Sequence, residues 1–250
     1  LDQLVKEGMR SYMRYFCETF RLNDVTTEQL ADIVRTSGDG PIRELLAEGG
    51  SVVVFIAHMG NWDLAGAWST QHLAPVTTVA ERLEPEEVFQ GFLDFRQAMG
   101  MTILPLTGGP DPFVGLKKAV DRGDFIALVA DRDLTKNGVE VDFCGQRARM
   151  AKGPAVLSIL TGAPLFAAAI YYTTAERGHG IGGQHVMVEF SPQIGRPEGV
   201  PTALAAESMV ADCAAHLEAA IREHTADWHM LQRVFAEDLD PVRTARAARA

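Results

Sequence analysis

Ser51-Val52-Val53-Val54-Phe55-Ile56-Ala57-His58-Met59-Gly60-Asn61-Trp62-Asp63 is an apolar run that ends on a histidine, a Gly-Asn turn and the first residues of a helix. A run of β-branched residues without polar alternation reads as a strand buried on both faces, as in a parallel sheet covered by helices. The strand ends at Ala57, so the imidazole of His58 arrives at a mouth of the sheet and not inside it. Asp63 falls in the first turn of a helix predicted from Trp62 to Gln71, where its carboxylate can fold back toward the strand end. That would give His58 a partner for one ring nitrogen and leave the other free to take a proton. The plainer alternative is a histidine that only helps to cap a helix.

Working outward, strands and helices alternate. Strands are predicted at 51–57, 75–80, 101–106, 124–130, 163–173 and 185–191, from apolar or β-branched runs bounded by Gly, Pro or Asp. Helices fill 62–71, 85–99, 112–122 and 152–161. The alternation implies an α/β fold with a mostly parallel central sheet flanked by helices. Tyr171-Tyr172-Thr173 and Val186-Met187-Val188 read instead as adjacent antiparallel strands joined by a glycine-rich loop. The chain of 250 residues is expected to form a single domain over 1–250. Within it, 1–50 is a helical N-terminal part, 51–200 the α/β core and 201–240 a pair of helices, from Thr202 to about His224 and from Ala226 to about Phe235.

Residues 1 to 20 carry an apolar stripe of Leu1, Leu4, Val5, Met9, Tyr12, Met13, Phe16 and Phe20 at helical spacing, beside Lys6, Arg10 and Arg14. Such a helix either packs on the core or lies on a lipid surface. Further helices are expected after Thr26-Thr27 and from Pro41 to Gly49-Gly50. No apolar stretch approaches the ~20 residues that a membrane span needs. No signal peptide is expected, and an opening on Leu1 suits a trimmed start.

A net charge of -10 argues against general nucleic-acid affinity, so an anionic substrate must meet local basic clusters. Cys17, Cys144 and Cys213 are odd in number and far apart, which suits a reducing compartment and no disulfide framework. Without a C-x-x-C pair or H-E-x-x-H, no metal site is expected. A G-x-G-x-x-G match at Gly178-His179-Gly180-Ile181-Gly182-Gly183 joins two strands and opens no helix, so a dinucleotide site is not expected. No G-x-S-x-G elbow or phosphate-binding loop is present.

The strand 124–130 runs into Asp131-Arg132-Asp133, a second cluster of charge at a strand's C-terminal end, where open α/β sheets place their sites. Asp131 is the inward carboxylate, near His58 if the two strands are neighbours. Glu140 sits in an alternating segment, Val139 to Phe143, whose polar side faces either solvent or the site. Arg147, Arg149 and Lys152 precede Gly153-Pro154 and a helix start, which suits an anion. Glu81-Arg82 ends another strand, and Arg96 on the following helix could hold a phosphate or orient a carboxylate. Taken alone, the basic cluster is also explained by solvated surface charge, Asp131-Arg132-Asp133 by the preference of turns for Asp, and Arg96 by an ion pair with Asp94 or Glu87.

These pieces together resemble the bacterial lipid A biosynthesis acyltransferase family, most of all its actinobacterial branch. His58-x-x-x-x-Asp63 is similar to the glycerolipid-acyltransferase signature. Glu81-Arg82, the Arg96 helix, Ala130-Asp131-Arg132-Asp133, Val141-Asp142-Phe143-Cys144-Gly145, Ala151-Lys152-Gly153-Pro154-Ala155 and Trp228 to Phe235 follow in the family's order. The resemblance covers about residues 30 to 237. It implies a glycerolipid-acyltransferase-like fold and transfer of a palmitoyl group from acyl-CoA to a mannose hydroxyl of a phosphatidylinositol mannoside. It implies no cofactor beyond the donor, and the apolar and basic stripe of residues 1 to 20 adds the expectation of peripheral contact with the cytoplasmic face of the inner membrane. His58 would be the base, with Asp63 or Glu140 holding its tautomer. Glu81, Arg82, Arg96, Asp131, Arg132, Asp133, Arg149 and Lys152 would bind substrate. Backbone N–H groups near Gly60-Asn61, or Arg132, would stabilise the oxyanion. The rival readings are a metal-dependent hydrolase using His58, Asp63, Asp131 and Asp133, and a lipid-binding module whose His58 is structural.

Overall fold

Pairing partners for the buried strands come from distant parts of the chain. The computed structural model describes residues 1–133, 135, 137–176 and 180–238. Gly178 and His179 of the glycine-rich match lie outside these residues, as does the part of the C-terminal region after Asp238. The elements run α1 (Asp2–Thr19), α2 (Thr27–Ile33), β1 (Val34–Ser37), α3 (Gly40–Ala47), β2 (Val52–Ile56), α4 (Trp62–His72), β3 (Val76–Ala80), α5 (Glu86–Ala98) and β4 (Thr102–Pro105). They continue with α6 (Pro112–Asp121), β5 (Phe125–Val129), β6 (Val139–Phe143), β7 (Gln146–Met150), α7 (Gly153–Thr161), β8 (Leu165–Thr174), β9 (Gln184–Phe190) and α8 (Thr202–Glu223).

Seven strands form one sheet in the order β1-β9-β8-β2-β5-β3-β4. Strands β8, β2, β5, β3 and β4 are mutually parallel, while β9 runs antiparallel to β8 and carries β1 parallel to itself. This is the mostly parallel α/β sheet expected, with β1 as an edge strand that the sequence reading missed. β6 and β7 form a separate antiparallel hairpin.

β2 explains why the sheet needs cover on both sides. Val52, Val54 and Ile56 pack with Ile42 of α3 and Leu64 and Trp68 of α4. Val53, Phe55 and Ala57 face Leu116 of α6, Leu157 of α7 and Met209 and Val210 of α8. Each apolar side chain removed from water contributes about 1.5–3 kcal/mol, so the unbroken run drives β2 to the centre.

One expectation needs correction. After α8 the chain makes a 3-10 turn at Thr225–Asp227 and then runs extended, with no helix over 226–235. The reason is tertiary: the Gly60 N–H donates to the Asp227 carbonyl at 2.8 Å, and the His229 N–H donates to the His58 carbonyl at 2.7 Å. Main-chain groups claimed by the β2–α4 turn are not available to an i→i−4 ladder. For α1, two placements were open. Its buried residues are the polar Ser11, Glu18 and Thr19 with Tyr15, whereas Val5 (55% exposed), Met13 (53%) and Phe20 (70%) face outward with Leu4 and Met9. Most of the apolar stripe therefore faces away from the core.

Candidate active site

Strand register creates the central feature. β2 and β5 pair with Ile56 opposite Val129, and the Ala130 N–H donates to the Ile56 carbonyl at 2.9 Å. Two places further on, at the strands' C-terminal ends, His58 and Asp131 stand side by side. His58 Nδ1 lies 2.6 Å from Asp131 Oδ1, and the His58 main-chain N–H donates to Oδ2 at 3.1 Å. Trp228, from the extended C-terminal segment, donates its indole N–H to the same Oδ2 at 2.9 Å. Asp131 is fully buried while the imidazole is 37% exposed, so the carboxylate holds Nδ1–H and leaves Nε2 for a proton from outside. Gly60 lets the chain turn here: its φ is +60°, and a Cβ would stand 2.3 Å from the Ile170 carbonyl oxygen.

The structure thus gives the imidazole's carboxylate partner as Asp131, not Asp63 or Glu140. Asp63 is buried, but it accepts from Arg96 Nε at 2.7 Å and Nη2 at 3.2 Å and from the Tyr15 hydroxyl at 2.7 Å. α4 turns its first residues toward α1 and α5, so the short separation in sequence does not become a contact. Glu140 is on the exposed side of the hairpin and pairs with Arg147 at 3.0 Å. Burial works to lower the Arg96 pKa, but Asp63 and Tyr15 outweigh it and hold it raised. Burial, and then the Asp63 carboxylate, push the Tyr15 phenol far up.

The remaining candidates divide. Arg96 and Arg132 line the cleft with His58. Arg82 is exposed and forked onto Glu86 at 2.7 and 2.8 Å, and Glu81 is exposed beside it. Asp133 accepts the Thr135 N–H at 2.7 Å and donates its own N–H to the Arg149 carbonyl at 2.8 Å, which ties β7 to this loop. Arg149 is half-buried with an unpartnered Nε, and Lys152 is exposed where α7 begins. Among the described residues no cluster of three or more His, Cys, Asp or Glu side chains could hold a metal ion. The Gly60 N–H is engaged by Asp227, which removes it as an oxyanion donor; Arg132 lines the cleft.

The cleft encloses about 310 Å³. Besides His58, Arg96 and Arg132 it is lined by Tyr12, Tyr15, Phe16, Trp62, Leu83, Phe92 and the segment His229 to Gln232. α1 gives the wall Tyr12, Tyr15 and Phe16, and its polar edge anchors it to the rest of the fold. Ser11 donates to Asp227, Tyr15 to Asp63, and Glu18 accepts from Asn61 at 2.9 Å and Tyr172 at 2.7 Å. Burial raises the Glu18 pKa against the pull of Tyr172 and Asn61. Tyr15 and Asp227 did not stand out as site residues in the sequence, and Trp228 and His229 entered only as part of the C-terminal resemblance. Their partners lie tens to hundreds of positions away, and no local pattern marks them.

A model of the bacterial lipid A biosynthesis acyltransferase family matches residues 1–237. A protein of Mycolicibacterium smegmatis named phosphatidylinositol mannoside acyltransferase is 38% identical over 246 residues, which is 98% of this chain and 76% of the relative. A protein of the same name from Mycobacterium tuberculosis is 39% identical over 248 residues, 98% of this chain and 74% of the relative.

Proposed function

The chain belongs to the bacterial lipid A biosynthesis acyltransferase family, and from that premise we propose its reaction: transfer of a long-chain acyl group, palmitoyl, from acyl-CoA to a mannose hydroxyl of a phosphatidylinositol mannoside. The relatives' names supply the acceptor. The observation that carries the chemistry is the His58–Asp131 pair, an imidazole exposed in an aromatic-lined cleft and backed by a buried carboxylate.

In this reading the acceptor hydroxyl attacks the thioester carbonyl carbon while His58 Nε2 takes its proton. Asp131 keeps the hydrogen on Nδ1 and stabilises the imidazolium. Arg132, which lines the cleft, is the side chain that would meet the oxyanion. Collapse of the tetrahedral intermediate breaks the C–S bond, and the thiolate leaves without a strong acid because a thiol's pKa is near ~8.5. The imidazolium then releases its proton to the thiolate or solvent.

Membrane contact in this reading is peripheral, at the cytoplasmic face, through α1. Its exposed Leu4, Val5, Met9, Met13 and Phe20 lie beside Lys6 and Arg10, a composition suited to the headgroup boundary. Among the described residues no helix is long and apolar enough to cross a membrane.

The test is to incubate the purified chain with palmitoyl-CoA and phosphatidylinositol mannoside in detergent micelles and follow the glycolipid by mass spectrometry. Acylated glycolipid should form, insensitive to chelator, and fall about 10²–10⁴-fold with His58→Ala. Turnover of that variant at the unsubstituted rate, with a normal circular dichroism spectrum, would overturn the base assignment. Chelator-sensitive release of free fatty acid would turn the reading toward a metal-dependent hydrolase.

A further inference from the structure

Beside His58 stands a second imidazole that the reaction above leaves without a task. His229 lines the same cleft and is 7% exposed. Its Nε2 lies 3.0 Å from Ser11 Oγ, and the Ser11 hydroxyl donates to Asp227 Oδ1 at 2.6 Å. A hydroxyl has one proton. With that proton given to Asp227, the serine oxygen can only accept from the ring, so Nε2 carries the hydrogen and Nδ1 is a bare lone pair. The other oxygen of Asp227 is held by the Tyr172 main-chain N–H at 2.9 Å, which keeps the carboxylate in place. Nδ1 is buried and has no hydrogen-bond partner.

Burial, and then the charge of nearby His58, hold the His229 pKa down to about 4. The ring is therefore neutral near pH 7 and keeps its lone pair. A buried acceptor with no donor is costly, and His229 stands in the wall of the cleft, from which a ligand's O–H or N–H could supply one. The aromatic setting narrows the class of ligand. Tyr12 meets the His229 ring edge-on at 5.5 Å, and Tyr15 stacks on Trp62 at 4.3 Å. Aromatic surface beside a lone-pair acceptor suits a polyhydroxylated ring, whose C–H faces rest on apolar surface while its hydroxyls seek acceptors.

We propose that Nδ1 of His229 accepts a hydrogen bond from a second hydroxyl of the acceptor sugar and so selects which hydroxyl reaches His58. This rests on the glycolipid acceptor proposed above. His229 is then an acceptor-binding residue: it exchanges no proton with the reacting atoms, and its lone pair sets the orientation of the sugar over the base.

The experiment compares the unsubstituted chain, His229→Gln and Ser11→Ala with palmitoyl-CoA and phosphatidylinositol mannoside in detergent micelles. Glutamine can still donate to Ser11 but places no acceptor where Nδ1 stands. It should lower kcat/KM for the glycolipid by about tenfold or more, leave the apparent KM for palmitoyl-CoA unmoved, and spread the acyl group over more than one sugar hydroxyl. Ser11→Ala keeps the imidazole but frees its hydrogen to move, so a smaller loss of the same kind is expected. In the unsubstituted chain labelled with 15N-histidine, the Nδ1 resonance of His229 should shift with phosphatidylinositol mannoside and not with palmitoyl-CoA.

An unchanged glycolipid kcat/KM and product pattern in His229→Gln, or an Nδ1 resonance indifferent to the glycolipid, would overturn the proposal and leave His229 as a tie between α1 and the C-terminal segment. If the unsubstituted chain acylates no sugar at all, the acceptor reading itself falls and takes this one with it. An active unsubstituted enzyme with an unaffected variant refutes the role of His229 alone.

Discussion

Replacing Asp131 with asparagine keeps the shape of the buried end of the His58 pair and changes its hydrogen-bond logic. Asp131 receives three donors at no solvent exposure: the His58 ring at 2.6 Å, the His58 main chain at 3.1 Å and the Trp228 indole at 2.9 Å. Alanine would strand all three, at about 1–3 kcal/mol each, enough to threaten a domain stable by about 5–15 kcal/mol. Asparagine does less damage to the fold. Its oxygen can replace Oδ2 and keep the Trp228 and main-chain donors, for a net loss of about 1–2 kcal/mol. Its NH2 then faces His58 Nδ1 and can only donate. The ring answers by placing its hydrogen on Nε2, the nitrogen that has to be bare to accept the hydroxyl proton. Loss of the base through the wrong tautomer is worth about 10²–10⁴-fold in kcat. The assay is the initial rate of glycolipid acylation with both substrates saturating, beside a urea unfolding curve. An Asp131→Asn protein that keeps kcat within a few fold while remaining folded would refute the pairing as what holds His58 in the tautomer that accepts the proton.

Asp63→Asn should behave as a structural lesion, since it leaves the buried Arg96 guanidinium without its carboxylate; removing one partner of such a pair costs about 3–5 kcal/mol, read from the urea midpoint. Glu140→Gln, altering an exposed pair with Arg147, should leave stability and rate nearly unchanged; a large loss of turnover would return Glu140 to the site. His229 gives a pH test. Its ring titrates near ~6.5 when unfolded and at about 4 when folded, so between these values the unfolded chain binds more protons and stability falls as pH falls. From pH 7 to pH 5 this amounts to about 2 kcal/mol, and His229→Gln should remove that share of the decline; identical slopes in the two proteins would show that His229 does not contribute. Leu4→Glu with Met13→Glu should reduce flotation with liposomes containing anionic lipid, and binding of the unsubstituted chain should weaken with salt; equal flotation of both proteins would place the membrane face elsewhere.

The sequence by itself determined what depends on near neighbours. The uninterrupted Val52–Ile56 run could only be a strand covered on both faces, and turn residues set the limits of β3, β4, β5, α6 and α7 to within a residue or two. His58 at a strand mouth and Asp131 at another were legible for the same reason: each follows directly on its own apolar run. That the two meet was not legible, because nothing in either segment says that β2 and β5 are neighbours in register. The five-residue spacing of His58 and Asp63 pointed to a local pair, and the helix rotation of α4 sent Asp63 to Arg96 and Tyr15 instead.

The same physics decided α1 and the C-terminal segment. Helical spacing marks an apolar stripe but not the side that the core will take, and here the carboxylates of Asp63 and Asp227 and the Asn61 amide of the turn after β2 claimed the polar edge. Residues 226–235 have enough helix-forming side chains to look helical, yet their backbone donors and acceptors were worth more paired to the turn holding His58. Elements follow from contacts within a few residues, which a sequence displays. The site follows from strand order and from hydrogen bonds that buried groups must find somewhere, and those partners exist only once the chain has closed on itself.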